Sequence, residues 1–137
     1  MRIHRNSSVG VIIDVQEKLF PHIQNSEELE KNLSILIDGL LMLEVPILFT
    51  EQYRKGLGET IESVSGRIPD FQALEKIEFS CCDNESFSQR LYAEGKRTVI
   101  LAGIESHVCI LQTALDLLEK DYRPVLVADC IGSRKER

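Results

Sequence analysis

The stretch Thr98-Val99-Ile100-Leu101-Ala102-Gly103-Ile104-Glu105-Ser106-His107-Val108-Cys109 decides the fold. Its first five residues form an apolar, β-branched run with the length of a buried strand. Gly103 breaks that run, and Ser106 is a favourable N-cap for a helix that follows. The spacing predicts a helix from about Ser106 to Lys120, with Val108, Leu111, Leu115 and Leu118 on its apolar face. Cys109 then falls in the first helical turn, just past a strand end. Unpaired backbone N–H groups point there, and the helix dipole favours an anion. Such surroundings lower a thiol pKa from about 8.5 toward roughly 3.5–7.5. The position equally suits an inert core cysteine, because free cysteine is among the most buried residue types.

Working outward, strands and helices alternate. Val9–Ile13 reads as strand one. Asn25-Ser26-Glu27-Glu28 reads as a helix start, and Leu29, Leu33, Leu36, Leu40 and Leu43 follow at helical spacing as core residues. Pro46-Ile47-Leu48-Phe49 is strand two, and a polar, Gly-containing loop runs from Glu51 to Arg67. Asp83-Asn84-Glu85 caps a helix that carries Phe87 and Leu91 and stops at Gly95. Thr98–Ala102 is strand three, and a fourth strand follows Pro124. The rhythm predicts an α/β fold, a Rossmann-like three-layer αβα sandwich with a mostly parallel sheet. No repeat, linker or low-complexity stretch interrupts it, so residues 1–137 read as one domain.

The formal net charge is -6 and only 6% of residues are aromatic, with no basic stripe, which argues against a nucleic-acid partner. No apolar run approaches the roughly 20 residues of a membrane span. Nor does an apolar segment follow Met1-Arg2-Ile3-His4-Arg5-Asn6 as a secretory signal requires. The four cysteines include the adjacent pair Cys81-Cys82 and form no CxxC, so reduced thiols and a cytoplasmic location are expected. Cys81, Cys82 and Cys130 read as structural. Gly56 and Gly58 make no phosphate loop, because no Gly-Lys-Ser/Thr follows.

Two more residues join Cys109 as candidates. Asp14 ends strand one, where open α/β sheets bind ligands; it reads equally as a cap for a helix from Val15. Lys76 lies in Leu74-Glu75-Lys76-Ile77-Glu78-Phe79-Ser80, a segment with no clean period, and reads by default as a solvated lysine. His107 is an unsuitable partner for Cys109, since residues two apart on a helix do not face each other.

The order Asp14, Lys76, Cys109 resembles the isochorismatase-like cysteine hydrolase superfamily, which includes the nicotinamidases. The resemblance runs from about Val9 to Ser133, and its most specific pieces are Ile13-Asp14-Val15-Gln16, Ala102-Gly103-Ile104-Glu105-Ser106-His107-Val108-Cys109 and Val127-Ala128-Asp129-Cys130. Thr50-Glu51-Gln52-Tyr53-Arg54-Lys55-Gly56-Leu57-Gly58 is similar to isochorismatase domain-containing proteins of undefined substrate. The resemblance implies that Cys109 is a nucleophile forming a thioester. Asp14 would act as general base and then acid, and Lys76 would hold both anions. It also implies a cis peptide at Ile104–Glu105 and an oxyanion hole from the backbone N–H groups of Glu105 and Cys109. Gln16, Gln52, Tyr53 and Phe79 are candidate pocket residues.

The chain departs from the family in two respects. Nicotinamidases bind a metal through an Asp-x-His motif after strand two. Here that segment is Phe49-Thr50-Glu51-Gln52-Tyr53-Arg54, and the three histidines are His4, His22 and His107. No metal and no cofactor are expected. Vinyl ether cleavage, as on isochorismate, is also disfavoured, because that branch lacks cysteine at the nucleophile position. The second departure is length. Family members continue with another helix and a strand–helix unit, so this chain is expected to be C-terminally short, with one sheet edge open.

The expected function is a metal-independent cysteine hydrolase cleaving a small amide or related C–N bond. The expected partners are a small-molecule substrate and further copies in a homo-oligomer, with no nucleic acid and no membrane. Two alternatives remain: a non-catalytic scaffold or small-ligand binder of the same fold, and a thiol redox sensor that pairs Cys109 with Cys81, Cys82 or Cys130.

Overall fold

In the computed structural model, residues 2–134 are described. Ser8–Ile13 (β1) is buried at every position, as is Thr98–Ile104 (β4). Continuous burial is what a parallel strand covered on both faces requires. Around this pair lie Ile47–Gln52 (β2), Leu74–Lys76 (β3) and Arg123–Gly132 (β5). The five strands form one sheet in the order β3-β2-β1-β4-β5, and every pairing is parallel. The order reverses between β1 and β4, so the crevice beyond their carboxyl ends is a topological switch point.

Helices cover both faces. Ser26–Met42 (α1) buries Leu29, Leu33, Ile37 and Leu40 against one face, in a cluster with Ile12, Phe49 and Ile104. Glu85–Glu94 (α4) and Leu111–Glu119 (α5) cover the other, where Phe87, Leu91, Ile110 and Leu117 pack on Val9, Val11, Ile13, Val99 and Leu101. The polar loop after β2 contains two one-turn helices, Arg54–Leu57 (α2) and Glu62–Ser65 (α3). No helix among the described residues is long and apolar enough to cross a membrane.

Several expectations need correction. Gly103 does not end its strand, because β4 continues through Ile104. Its φ is +123°, and an added Cβ would lie 2.2 Å from the Ile13 carbonyl oxygen, so only glycine lets β4 pass β1 here. Ser106 is not the cap: Glu105 is, and Ser106 opens a π-helical turn, Ser106–Ile110, that precedes α5. On α5 the buried stripe is Thr113, Ala114 and Leu117, continuing from Ile110 of the π-helical turn, while Leu111, Leu115 and Leu118 are 49%, 48% and 57% exposed. The helix is apolar on two adjoining faces, and the smaller Thr113 and Ala114 let it lie close to the sheet. On α1 the core stripe runs through Ile37, leaving Leu36 at its flank and Leu43 exposed. Asp14 caps no helix, because no helix starts at Val15.

Candidate functional site

Asp14 leaves the end of β1 with φ at +53°, and its N–H donates to the Thr50 carbonyl at 3.1 Å. Both carboxylate oxygens are engaged. Thr50 Oγ1 donates to Oδ1 at 2.8 Å, and Lys76 Nζ donates to Oδ2 at 2.8 Å. The Asp14 and Lys76 side chains are each 1% exposed. Lys76 is therefore a buried cation rather than a solvated surface residue. β3 places it beside β2, in register with Gln52. Its ammonium also donates to the Glu78 and Phe79 carbonyls at 3.0 and 3.1 Å, so all three N–H groups are used. Burial acts to lower the Lys76 pKa, but Asp14, through its charge and its hydrogen bond, with the neighbouring Cys81 and Cys109 thiols acting the same way, more than offsets it, and the net shift is upward.

The π-helical turn presents Cys109 to this ion pair. Val108 N–H and Ile110 N–H both donate to the Glu105 carbonyl, at 3.2 and 3.1 Å. The second bond spans five residues, the signature of a π turn, a geometry frequent at functional sites. Cys109 Sγ lies 3.8 Å from Lys76 Nζ and 3.9 Å from Gln52 Oε1. The Ile104–Glu105 peptide is cis.

The thiol is not acidified as its helix position suggests. Burial pushes it up to about 12, the Asp14 carboxylate beside it pushes the same way, and Lys76 and the Glu105 backbone only partly oppose them. The resting arrangement is thus a neutral thiol beside a carboxylate held by a buried ammonium.

A cavity of about 270 Å³ opens onto this cluster. Asp14, Gln52 and Cys109 are among its polar groups; Leu19, Leu57, Val108 and the exposed Phe79 give apolar walls. At its rim the Glu105 carboxylate accepts from Arg134 Nη2 at 2.9 Å and from Arg134 Nε at 3.2 Å. Burial acts to raise the Glu105 pKa, but these bonds from Arg134 outweigh it and the net shift is downward.

Of the four candidate pocket residues, Gln52 and Phe79 line this cavity, whereas Gln16 and Tyr53 do not. Gln16 is fully buried and clasps backbone: Nε2 donates to the Gln52 and Gly58 carbonyls at 3.0 and 2.8 Å, and Oε1 accepts from Gln52 N–H at 2.7 Å. Tyr53 caps α2 and is 55% exposed. Thr50, Arg134 and the two carbonyls around Lys76 were not singled out from sequence. Thr50 ends the apolar part of β2 one residue before Glu51, which is its only signal; the others arise from chain folding alone.

A larger cavity, about 450 Å³, lies on the opposite side of β2 beside Glu51, Arg54 and Thr60. The Glu51 carboxylate is fully occupied there, by Arg54 Nε at 2.5 Å and by Thr60 N–H and Oγ1, both at 2.7 Å. Cys109 and Asp14 line the smaller cavity, not this one.

Fold and site together define an α/β protein with a carboxylate, an ammonium and a thiol converging at the sheet's switch point. Residues 8–137 match the isochorismatase domain, and the chain belongs to that family, whose hydrolase fold it carries. It is 34% identical over 132 residues to isochorismatase family protein 1A of Dictyostelium discoideum, covering 93% of this chain and 64% of that one. The chain thus spans less than two thirds of that relative's length. Among solved structures, the MAR1 ribonuclease of Caenorhabditis elegans superposes with a TM-score of 0.91 at 35% identity, over 99% of this chain and 70% of that one. The YcaC gene product of Escherichia coli, described as an octameric hydrolase of unknown specificity, has a TM-score of 0.91 at 24% identity, over 96% and 67%. At that identity the likeness shows the fold alone.

Proposed function

We propose that this chain is a metal-independent cysteine hydrolase that cleaves a small amide or related C–N bond, with Cys109, Asp14 and Lys76 as its catalytic residues. One observation carries this: a buried thiol shares the wall of a cavity sized for a small molecule with a carboxyl group that the Lys76 ammonium holds at 2.8 Å. Because the resting thiol is protonated, Asp14 acts as a general base during attack rather than as a spectator beside a preformed thiolate. Cys109 Sγ bonds to the carbonyl carbon while its proton passes to Asp14. Backbone N–H groups of Glu105 and Cys109 receive the developing oxyanion. Asp14 returns the proton to the leaving nitrogen, the C–N bond breaks, and a thioester remains. Water, deprotonated by Asp14, then releases the acid and restores the thiol.

The thiol's raised pKa disfavours the redox-sensor alternative, since oxidation follows thiolate character. Four free thiols support a reducing compartment, the cytoplasm. Self-association is part of the reading too. The half-exposed stripe Leu111, Leu115 and Leu118 suits contact with a second copy, and the E. coli neighbour is described as an octamer.

The test is ammonia release from a panel of small primary amides by wild type and Cys109→Ala, with circular dichroism to verify folding. Turnover by wild type and none by the variant is expected. Because the C. elegans neighbour is named a ribonuclease, a short RNA belongs on the panel. Turnover of any substrate that survives in pure Cys109→Ala overturns the role of the thiol.

A further inference from the structure

Gln52 is fixed more firmly than a pocket-wall side chain needs to be. Its backbone N–H and C=O are both held by the buried Gln16 amide, at 2.7 and 3.0 Å. Its side-chain Nε2 donates to the Ile77 and Glu78 carbonyls, both at 3.4 Å. Those two acceptors decide the orientation of the amide, because only its nitrogen can donate. Oε1 is consequently turned toward Cys109, where its neighbour is the sulfur at 3.9 Å. A carbonyl oxygen with spare lone pairs therefore stands beside the nucleophile. The Lys76 ammonium is committed elsewhere, giving its N–H groups to Asp14, Glu78 and Phe79, and the thiol offers Oε1 only a weak contact at 3.9 Å.

We infer that Gln52 is a specificity-determining residue whose Oε1 accepts a hydrogen bond from an N–H of the bound substrate, so that the site selects carboxamides over esters of similar size. Gln16 is the positioning residue that holds Gln52 in place. This deepens the proposed function and rests on Cys109 being the reactive thiol. An ester offers no N–H, and so leaves the half-buried Oε1 with nothing better than the long 3.9 Å contact from the thiol. A site built to bond a substrate N–H discriminates against analogues lacking it, because its own polar group is then unpaired. The apolar walls, Leu19, Leu57 and Val108, contact the remainder of the molecule without distinguishing the two classes.

The inference can be tested with two alkylating probes, iodoacetamide and methyl iodoacetate. In each, Cys109 Sγ bonds to the methylene carbon, iodide leaves with the C–I electron pair, and the thiol proton passes to Asp14 and then to water. Both reactions require the same thiolate, so the ratio of their rates at Cys109, read by peptide mass spectrometry, cancels the thiol's ionisation and reports recognition of the amide. The ratio in folded wild type is expected to exceed that of the same cysteine in urea by roughly three- to tenfold, the worth of one hydrogen bond. In Gln52→Met, of similar length but without the acceptor, it falls to the urea value. A folded wild-type ratio equal to that in urea overturns the inference even if no variant folds. So does an unchanged ratio in folded Gln52→Met. Cys109 labelling by both probes that is no faster than that of fully buried Cys81 at any pH where the protein stays folded, including above pH 10, overturns the thiol nucleophile and the inference together.

Discussion

Lys76 Nζ and Asp14 Oδ2 lie 2.8 Å apart with both side chains 1% exposed, and the sulfur of Cys109 lies 3.8 Å from the same ammonium. An ammonium, a carboxyl group and a neutral thiol thus share a volume almost wholly withdrawn from solvent. Removing two charges from water is costly, and the pair is tolerable only because every N–H of the ammonium and both oxygens of the carboxylate have partners.

Lys76→Met leaves the Asp14 carboxylate buried without its cation. The expected loss is about 3–5 kcal/mol in urea denaturation, the range for breaking a buried pair from one side. The double variant Asp14→Asn with Lys76→Met should recover a large part of that loss. Additive losses would show that the ion pair does not couple the two residues.

The alkylation rate of Cys109 should rise with an inflection above the ordinary thiol value of about 8.5, because burial and Asp14 both raise its pKa. Asp14→Asn removes an anion and moves the inflection down. Lys76→Met removes a cation and moves it up. An Asp14→Asn enzyme with a more acidic thiol and amide turnover reduced roughly 10²–10⁴-fold would separate the base's role from simple electrostatics. An inflection below 8.5 in wild type would contradict the resting arrangement described above.

Stability should decline in alkali. Burial raises the thiol of Cys81 to about 12, that of Cys82 to about 11 and that of Cys109 to about 12. In the unfolded chain these thiols titrate near about 8.5. Below that value both states hold the protons and the stabilisation is complete. As pH rises the unfolded state releases them first, and stability falls until the folded thiols also ionise near 11–12. Urea midpoints from pH 8 to 10.5 should therefore decrease, and Cys81→Ala should flatten the slope. A pH-independent midpoint would refute the shifts.

Leu111→Glu combined with Leu115→Lys should convert any assembly to a smaller species in light scattering, without loss of helix content. An unchanged mass would place the contact between copies on another face.

The central strands were legible because their signal is local. Val9–Ile13 and Thr98–Ala102 are uninterrupted apolar runs, and both lie in the middle of the sheet. Asp14 is legible because it directly follows such a run, and Cys109 because it falls at the helix start that comes after the other. Lys76 was readable only through resemblance, since β3 has three residues and no period of its own, and its strand pairing comes from Thr50, Glu51 and Gln52. The buried face of α5 was misread because leucine outweighs alanine and threonine in any count of hydrophobic spacing, whereas close packing on the sheet favours the smaller side chains. The thiol's acidity was misjudged for a related reason. The helix start was visible in sequence, but burial and the approach of Asp14 were not.

Glu51 and Gln52 are neighbours in one strand, yet they belong to different rooms of the molecule. Thr50 and Gln52 face the thiol, while Glu51 faces the larger cavity with Arg54 and Thr60. A single-residue insertion or deletion upstream in β2 would exchange their assignments, setting a carboxylate against Cys109 and an amide against Arg54. Both cavities would lose their chemistry in one step. The strand therefore acts as a two-sided key whose spacing is indivisible: substitutions can retune either side separately, but a change in the count of residues cannot spare one side at the expense of the other.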